Sequence, residues 1–312
     1  MAKYDVEIIS QAEKEKLMGK MLSPDLIERK AVIHGTCVKF FTDSHDFKDM
    51  WEDNFEPMFD WIRPHARLFA IKGGKLRVRY EPVSKTVIIE GCDYYGWVKS
   101  IALALVADFL EDFTSEHRRY SVHGSFIDMR GRGIALIGPS GSGKTTLTYG
   151  LLLDKRSNFL TDDWFFVRLA NSDTLVYSSE KNSYIRGDLS STWPQYDLGG
   201  IRKDTQDRAV VDVRRLLGGD RIRTESILSA TVLLTRDRSL PPLSVLGPKE
   251  ALSFMVENDF CNPHQLVRSR QKTEKRKAFF SELFTRAPVY LLNTIETPAE
   301  SLQRLKTISK EV

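Results

Sequence analysis

The 312-residue sequence has little cysteine and no long apolar run. Cys37, Cys92 and Cys261 are odd in number, far apart and outside any CxxC or Cys/His pattern, so neither a disulfide scaffold nor a zinc site is expected. The best apolar run, Ile101–Leu110, is much shorter than the roughly 18 residues that a membrane-spanning helix requires. The first residues show no basic-then-apolar signal, which predicts a cytoplasmic protein without membrane association.

Strong charge of one sign is also absent. Forty-six Lys and Arg against 42 Asp and Glu give a net charge of +4, too small to indicate a nucleic-acid partner without a localised patch. The densest basic segment, residues 268–277, favours a solvated helix face, and binding of a phosphate-rich partner or an acidic substrate is the alternative. Hydrophobic and charged fractions of 41% and 28% are ordinary for a globular protein, and the length predicts two domains or one large one.

The N-terminal part reads as α+β. Ala31–Thr42 is rich in branched and aromatic residues and predicts a strand, and Asp43-Ser44 offers a cap for a following helix. The aromatic stripe Phe47–Phe59 recurs at helical spacing and is predicted to lie in the core. Short strands over residues 67–90 predict a meander, and Tyr95–Phe113 is the clearest helix.

From about residue 118 the pattern changes to α/β. A short apolar strand, Ile134–Ile137, precedes a glycine-rich loop and a helix over Lys144–Leu153. Turn residues between Trp164–Leu169 and Leu175–Ser179 predict a hairpin, and Glu225–Arg236 suits a central strand. We therefore predict an N-terminal α+β domain over residues 1–118 and an α/β nucleotide-binding domain over residues 119–312.

The loop after the apolar strand fits the phosphate-binding pattern G-x-x-x-x-G-K-[ST]. Its glycines let consecutive backbone amides converge on phosphate oxygens, and the helix start adds its positive dipole end. Lys144 is predicted to reach the β- and γ-phosphates, and the Thr145 hydroxyl to ligate Mg²⁺. The predicted nucleotide-binding residues are Gly138, Pro139, Ser140, Gly141, Ser142, Gly143, Lys144, Thr145 and Thr146.

Two further elements accompany the loop. Asp162-Asp163 begins eighteen residues after Lys144, a spacing that allows a helix and a return strand to bring the acids beside the phosphates. One aspartate would hold Mg²⁺ through water and the other would accept the proton of an incoming hydroxyl, and the residues alone leave open which does which. His123 lies fifteen residues before Gly138, where spacing alone favours a hydrogen-bonding residue over a catalytic one.

Together these elements resemble a known family. Residues 119–169 (RYSVHGSFIDMRGRGIALIGPSGSGKTTLTYGLLLDKRSNFLTDDWFFVRL) are similar to the catalytic core of the HPr kinase/phosphorylase family, whose core is related to phosphoenolpyruvate carboxykinase. The resemblance implies a mixed central sheet, an ATP- and Mg²⁺-dependent kinase and a homo-oligomer. It implies that Asp162 is the general base, Asp163 the second, metal-site acid and His123 a member of the catalytic group.

The sequence also departs from the family pattern. Thr146 stands where the family has an acid after the Walker Ser/Thr, and Tyr184-Ile185-Arg186-Gly187 lacks the glutamate of the family's Glu-Ile-Arg-Gly. Activity on HPr itself therefore does not follow from the resemblance. Arg186 is retained and is predicted to stabilise charge on the transferred phosphoryl group.

The sequence thus predicts a kinase that transfers the γ-phosphate to a hydroxyl of a protein serine or a small metabolite. A transport-type ATPase carries a similar loop, but no LSGGQ-like helix start and no apolar strand ending in Asp-Glu follow at the expected distance. A non-catalytic nucleotide sensor or assembly protein is the other alternative, in which the missing acids reflect lost chemistry.

Overall fold

Short strands and helices alternate through the parts of the chain that the computed structural model describes, residues 4–113, 118–170 and 173–311. The chain forms two units, one of residues 1–113, 204–206 and 264–268 and one of residues 114–203, 207–263 and 269–312. The first is α+β and the second contains a mixed central sheet, which confirms the predicted fold class. Among the described residues no helix has the length and apolar character to cross a bilayer.

The first unit is built on a sheet with the strand order β1-β6-β7-β5-β3-β2-β4. Its strands in the described residues are β1 Val6–Ile8, β2 Ile27–Ile33, β3 Thr36–Thr42, β4 Glu56–Pro57, β5 Ala66–Ile71, β6 Arg77–Glu81 and β7 Thr86–Glu90. Its helices there are α1 Gln11–Met21, α2 His45–Asn54 and α3 Tyr95–Asp112.

Alternating side chains of β3 pack against helices on opposite faces of the sheet. Phe40 stacks on Trp51 of α2 with ring centroids 4.5 Å apart. Its neighbour Phe41 stacks on Phe69 in a cluster that α1 covers. Successive side chains of a strand point to opposite faces, so the adjacent aromatics anchor helices on both sides of the sheet.

Three predictions for this unit need correction. Ala31–Thr42 is not one strand but most of a β2–β3 hairpin, because His34 and Gly35 both adopt positive φ, as a tight hairpin turn requires. The predicted meander is wrong because β5 pairs in parallel with β7 and only β6 is antiparallel to it. The aromatic stripe is core as far as Phe55, but α2 has ended by then and Phe59 is 65% exposed.

The second unit contains a mixed sheet with the strand order β10-β8-β11-β12-β15-β17-β16, and β9 lies between β8 and β15. Its strands in the described residues are β8 Arg119–Met129, β9 Arg132–Ile137, β10 Ser157–Thr161, β11 Trp164–Leu169, β12 Thr174–Ser178, β13 Asn182–Arg186, β14 Arg208–Asp212, β15 Glu225–Thr235, β16 Leu243–Leu246 and β17 Val289–Asn293. The β13–β14 pair forms a separate two-stranded sheet.

Helices pack against this sheet in two apolar clusters. Those in the described residues are α4 Lys144–Leu151, α5 Asp188–Thr192, α6 Val213–Leu217, α7 Pro248–Glu257, α8 Arg270–Arg286 and α9 Pro298–Glu311. Helices α4 and α9 contribute to one cluster, and α7 and α8 to the other. Part of the predicted hairpin turn, residues 171–172, lies outside the described residues.

The basic segment is not the fully solvated face that the sequence predicts. Within α8, Lys272 is buried, and Lys275, Arg276 and Lys277 are partly buried. The apolar half of α8, including Phe279 and Phe280, packs into the core, and this draws the preceding basic turns toward the protein.

Candidate functional site

The glycine-rich loop connects the end of β9 to the start of α4. Gly141 and Gly143 adopt φ values of +81° and +95°, which favour glycine over any other residue. At Gly138 a Cβ atom would lie 2.6 Å from Ser142 Oγ and 2.8 Å from the Leu234 carbonyl oxygen, so only glycine fits. The loop therefore has the strand–loop–helix form of a phosphate cradle, with the free amides of α4 at its mouth.

Lys144 folds back over this loop. Its Nζ donates to the carbonyl oxygens of Gly138 at 2.6 Å and Pro139 at 3.2 Å. Part of the residue is solvent-accessible, but protein surrounds most of the side chain, and this burial lowers the pKa of Lys144 while nearby Asp163 and Cys261 oppose the shift. A bound polyphosphate would offer the ammonium group negatively charged oxygens in place of these neutral carbonyl oxygens.

The carboxyl ends of three parallel strands meet beside the loop. Strands β9, β15 and β17 run in parallel, which places Gly138, Thr235 and Thr294 at one edge of the sheet. Thr294 Oγ1 lies 2.9 Å from the Ser142 carbonyl oxygen and 3.1 Å from that of Thr235, so it is in reach of both. This residue holds the loop against the sheet. Its position after a predicted parallel strand is a signal that sequence reasoning overlooked.

Strand β8 brings His123 to the same edge. Its Gly124 is paired with Ile137, the last residue of β9, so His123 lies near the start of the loop. His123 Nδ1 is 2.7 Å from the carbonyl oxygen of Cys261, and Nε2 is 3.3 Å from Asp163 Oδ1. The carbonyl oxygen can only accept, so Nδ1 donates and Nε2 is left facing the carboxylate.

The aspartate pair forms the short connection between β10 and β11, beside β8. Strand β10 ends at Thr161 and β11 begins at Trp164, and both pair antiparallel with β8. The amide of Gly124 donates to the Asp163 carbonyl oxygen at 2.9 Å, which fixes the connection against β8. Strands β10 and β9 are therefore parallel to one another, so the acids emerge at the edge that carries the loop.

The two acids have different surroundings. Asp163, with its side chain 32% exposed, contacts His123 and interacts electrostatically with Lys144. Asp162 is buried near the Tyr149 hydroxyl: burial raises the pKa of Tyr149, and the Asp162 and Glu180 carboxylates raise it further. Glu180, which follows β12 and acts on the same Tyr149 hydroxyl, is an acid that the sequence analysis did not single out.

The donor set is compatible with Mg²⁺. Thr145 is the second residue of α4 and offers a hydroxyl, and Asp163 offers a partly exposed carboxylate. Within the described ranges, no three His, Cys, Asp or Glu side chains gather as a metal cage. Mg²⁺ usually takes one or two carboxylates, water and substrate phosphates, so this sparse oxygen set fits it. The buried Ser142 Oγ has no hydrogen-bond partner in the described part of the chain.

The remaining predicted residues are placed differently. Thr146 follows Thr145 on α4, and its carbonyl oxygen accepts from Trp193 Nε1 at 2.8 Å, a contact that ties the helix to the following segment. Arg186 is exposed at the end of β13, paired with Arg208 in the two-stranded sheet. The described contacts thus bring together His123, Lys144 and Asp163, with Asp162 beside them, but they do not include Arg186.

Comparison with known proteins identifies relatives of one name. The chain is 34% identical over 84 residues to an HPr kinase/phosphorylase of Chlorobium limicola, covering 27% of this chain and 24% of that protein. It is 28% identical over 130 residues to the HPr kinase/phosphorylase of Chlorobium phaeobacteroides, covering 42% and 33%. No family profile matches the chain.

A solved structure of the Hpr(Ser) kinase/phosphatase from Coxiella burnetii is 15% identical, with a TM-score of 0.35, over 62% of this chain and 99% of that one. The curated matches confirm the resemblance to a divergent HPr kinase-like family. The chain spans about a quarter to a third of the length of the curated relatives that it matches.

Proposed function

We propose that this protein is an ATP- and Mg²⁺-dependent phosphotransferase that moves the γ-phosphoryl group of ATP to a hydroxyl acceptor. The observation that carries the proposal is the grouping of Lys144, Asp163 and His123 at the mouth of the glycine-rich loop. The curated relatives, named for kinase activity on HPr, support the same class of reaction. A loop of this form binds nucleotide in many proteins, whereas acids beside it are what phosphoryl transfer adds.

The binding roles follow from the loop. Its backbone amides and Lys144 hold the β- and γ-phosphates, and Thr145 with Asp163 holds Mg²⁺. When bound, Mg²⁺ neutralises phosphate charge during transfer. The Lys144 ammonium group interacts electrostatically with Asp163, and a carboxylate beside a cation suits a metal ligand better than a proton acceptor.

The proton of the acceptor goes to Asp162 in this proposal. The residue is 6% exposed and interacts electrostatically with the Tyr149 hydroxyl. Burial favours the protonated form of a carboxyl group, so Asp162 is better suited than the partly exposed Asp163 to take up a proton. His123 orients Asp163 through Nε2, and Arg186, at the end of β13, keeps its predicted role of stabilising charge on the transferred phosphoryl group.

The acceptor is a serine of a protein or a hydroxyl of a small metabolite. The relatives' name, which includes HPr, points to a protein acceptor, while the missing glutamate and Thr146 argue that the acceptor site has changed. We further infer that the protein acts in the cytoplasm as a homo-oligomer and without nucleic acid, as the resemblance and the modest charge indicate.

The test is phosphoryl transfer from ATP labelled at the γ-phosphate to purified HPr, a panel of hydroxyl metabolites and a cell lysate. Transfer that is lost in Lys144→Ala and in Asp162→Asn supports the proposal. Rapid hydrolysis with every acceptor left unlabelled would favour the transport-type ATPase. Tight ATP binding without turnover would favour a nucleotide sensor.

A further inference from the structure

A left-handed turn follows α7 in the second unit. Asp259, Phe260 and Cys261 adopt φ values of 48°, 55° and 54°, three consecutive residues in the region that glycine normally fills. A helix often ends with one such residue, usually glycine, whereas this turn uses three with side chains. Each residue held there costs free energy that the surrounding structure must offset.

The turn is held in place from several directions. Phe260 is buried and stacks on Phe280 of α8 with ring centroids 5.8 Å apart. The Cys261 amide donates to the Asn258 carbonyl oxygen at 2.8 Å, and the Asn262 amide donates to that of Asp259 at 3.2 Å. Core packing and these hydrogen bonds together fix a conformation that the residues themselves disfavour.

This conformation delivers a single backbone group to the site. The carbonyl oxygen of Cys261 lies 2.7 Å from His123 Nδ1, although the two residues are 138 positions apart in the chain. The ring of His123 also meets Trp164 edge-on with centroids 5.6 Å apart. The Cys261 carbonyl oxygen and the Trp164 ring together orient the imidazole so that its Nε2 points toward Asp163.

We propose that the left-handed turn Asp259–Cys261 is a positioning element that fixes the tautomer and orientation of His123, and through His123 the carboxylate of Asp163. Strain that is maintained in a buried turn and ends on a site residue is typical of functional sites. The cysteine contributes through its backbone, not its thiol: burial raises the pKa of Cys261 to about 12, so the thiol stays protonated and unreactive. The kinetic part of this inference rests on the proposed phosphotransferase function.

The experiment compares Cys261→Val with Cys261→Ala. Both remove the thiol, but a β-branched side chain makes the left-handed region much more costly than alanine does. We expect Cys261→Val to lower kcat about tenfold or more with the KM for ATP unchanged, because the turn no longer aims its carbonyl oxygen at His123. Cys261→Ala and Cys261→Gly should keep kcat near that of the wild type, since neither disfavours the turn more than cysteine does. The control Arg130→Val places the same side chain in the β8–β9 turn, where φ is 62°, and should leave kcat unchanged.

Nitrogen-15 NMR of the imidazole gives a readout that does not need activity. Wild type and Cys261→Ala should show His123 with its proton on Nδ1, assigned by comparison with His123→Gln, and Cys261→Val should show averaging between tautomers. Equal kcat losses in the alanine and valine variants, or a fixed Nδ1–H tautomer in Cys261→Val, would overturn the proposal. If the wild type transfers no phosphate, the proposed function fails, while the NMR comparison still decides the role of the turn.

Discussion

His123 Nε2 lies 3.3 Å from Asp163 Oδ1, and the other ring nitrogen is committed to a backbone carbonyl. Through these two contacts the imidazole links the backbone of the Asp259–Cys261 turn to the carboxylate that is proposed to hold Mg²⁺. A change in the conformation of that turn is therefore expected to reach Asp163.

Substitution of Asp162 and substitution of Asp163 are expected to affect different steps. Asp162→Asn should lower kcat by about a hundredfold or more because it removes the proposed general base, and it should leave Mg²⁺-dependent ATP affinity intact. Asp163→Asn should instead weaken ATP binding in the presence of Mg²⁺ more than in its absence. Calorimetry with and without Mg²⁺, alongside single-turnover transfer, measures both effects. The opposite pattern would exchange the two roles.

Gly138 should tolerate no side chain. In Gly138→Ala the new Cβ would meet Ser142 Oγ and the Leu234 carbonyl oxygen at 2.6 and 2.8 Å, so the loop must shift away from its phosphate-binding form. We expect ATP affinity to fall at least about tenfold, because several backbone amides no longer point at the same phosphate oxygens. Gly219→Ala is the matched control, since a Cβ there meets nothing within 4 Å and ATP affinity should not change.

Lys144 is expected to bind phosphate at the expense of stability. Burial lowers the pKa of Lys144 below the ordinary lysine value of 10.5. Between the lowered value and 10.5 the unfolded chain binds more protons than the native one, so stability rises with pH across that range. Below it, the native protein holds a disfavoured ammonium group.

Lys144→Met should therefore be more stable than the wild type at pH 7 without nucleotide, with an advantage that shrinks as the pH approaches 10.5. It should also lose ATP binding. Urea unfolding at several pH values checks the first expectation and calorimetry the second. A variant that is less stable than the wild type at pH 7 would contradict it.

The first unit depends on a buried ionic group. Asp108 Oδ2 accepts from the Tyr80 hydroxyl at 2.5 Å and from Lys85 Nζ at 2.6 Å, and all three residues are buried. Asp108→Ala leaves the buried Tyr80 hydroxyl without this acceptor and removes one of the two carboxylates that contact Lys85, Asp112 being the other, so we expect a loss of about 1–3 kcal/mol in unfolding free energy. Urea denaturation measures it. Lys48→Ala, which breaks the surface pair with Glu52 on α2, should leave the midpoint unchanged.

Local pattern predicted most elements of this chain but not their partners. The helix after Ser44, the strands near residues 67–90 and the long helix from Tyr95 were correct because caps and periodicity act over a few residues. The parallel pairing of β5 with β7 was missed, since pairing depends on how the sheet assembles. The β2–β3 turn was missed because His34-Gly35 is a weak turn signal inside a continuous branched and aromatic run.

The sequence alone determined the glycine-rich loop, the resemblance to a kinase family and the fold class, because the motif is contiguous and its backbone requirements are written in glycines. Only the tertiary structure decided that Asp163 contacts His123 and interacts with Lys144, while Asp162 interacts with Tyr149. It alone also brought a left-handed turn 138 positions away onto the His123 ring. These relationships depend on strand register and core packing across the whole unit, and no local stretch of sequence encodes the distance between groups so far apart in the chain.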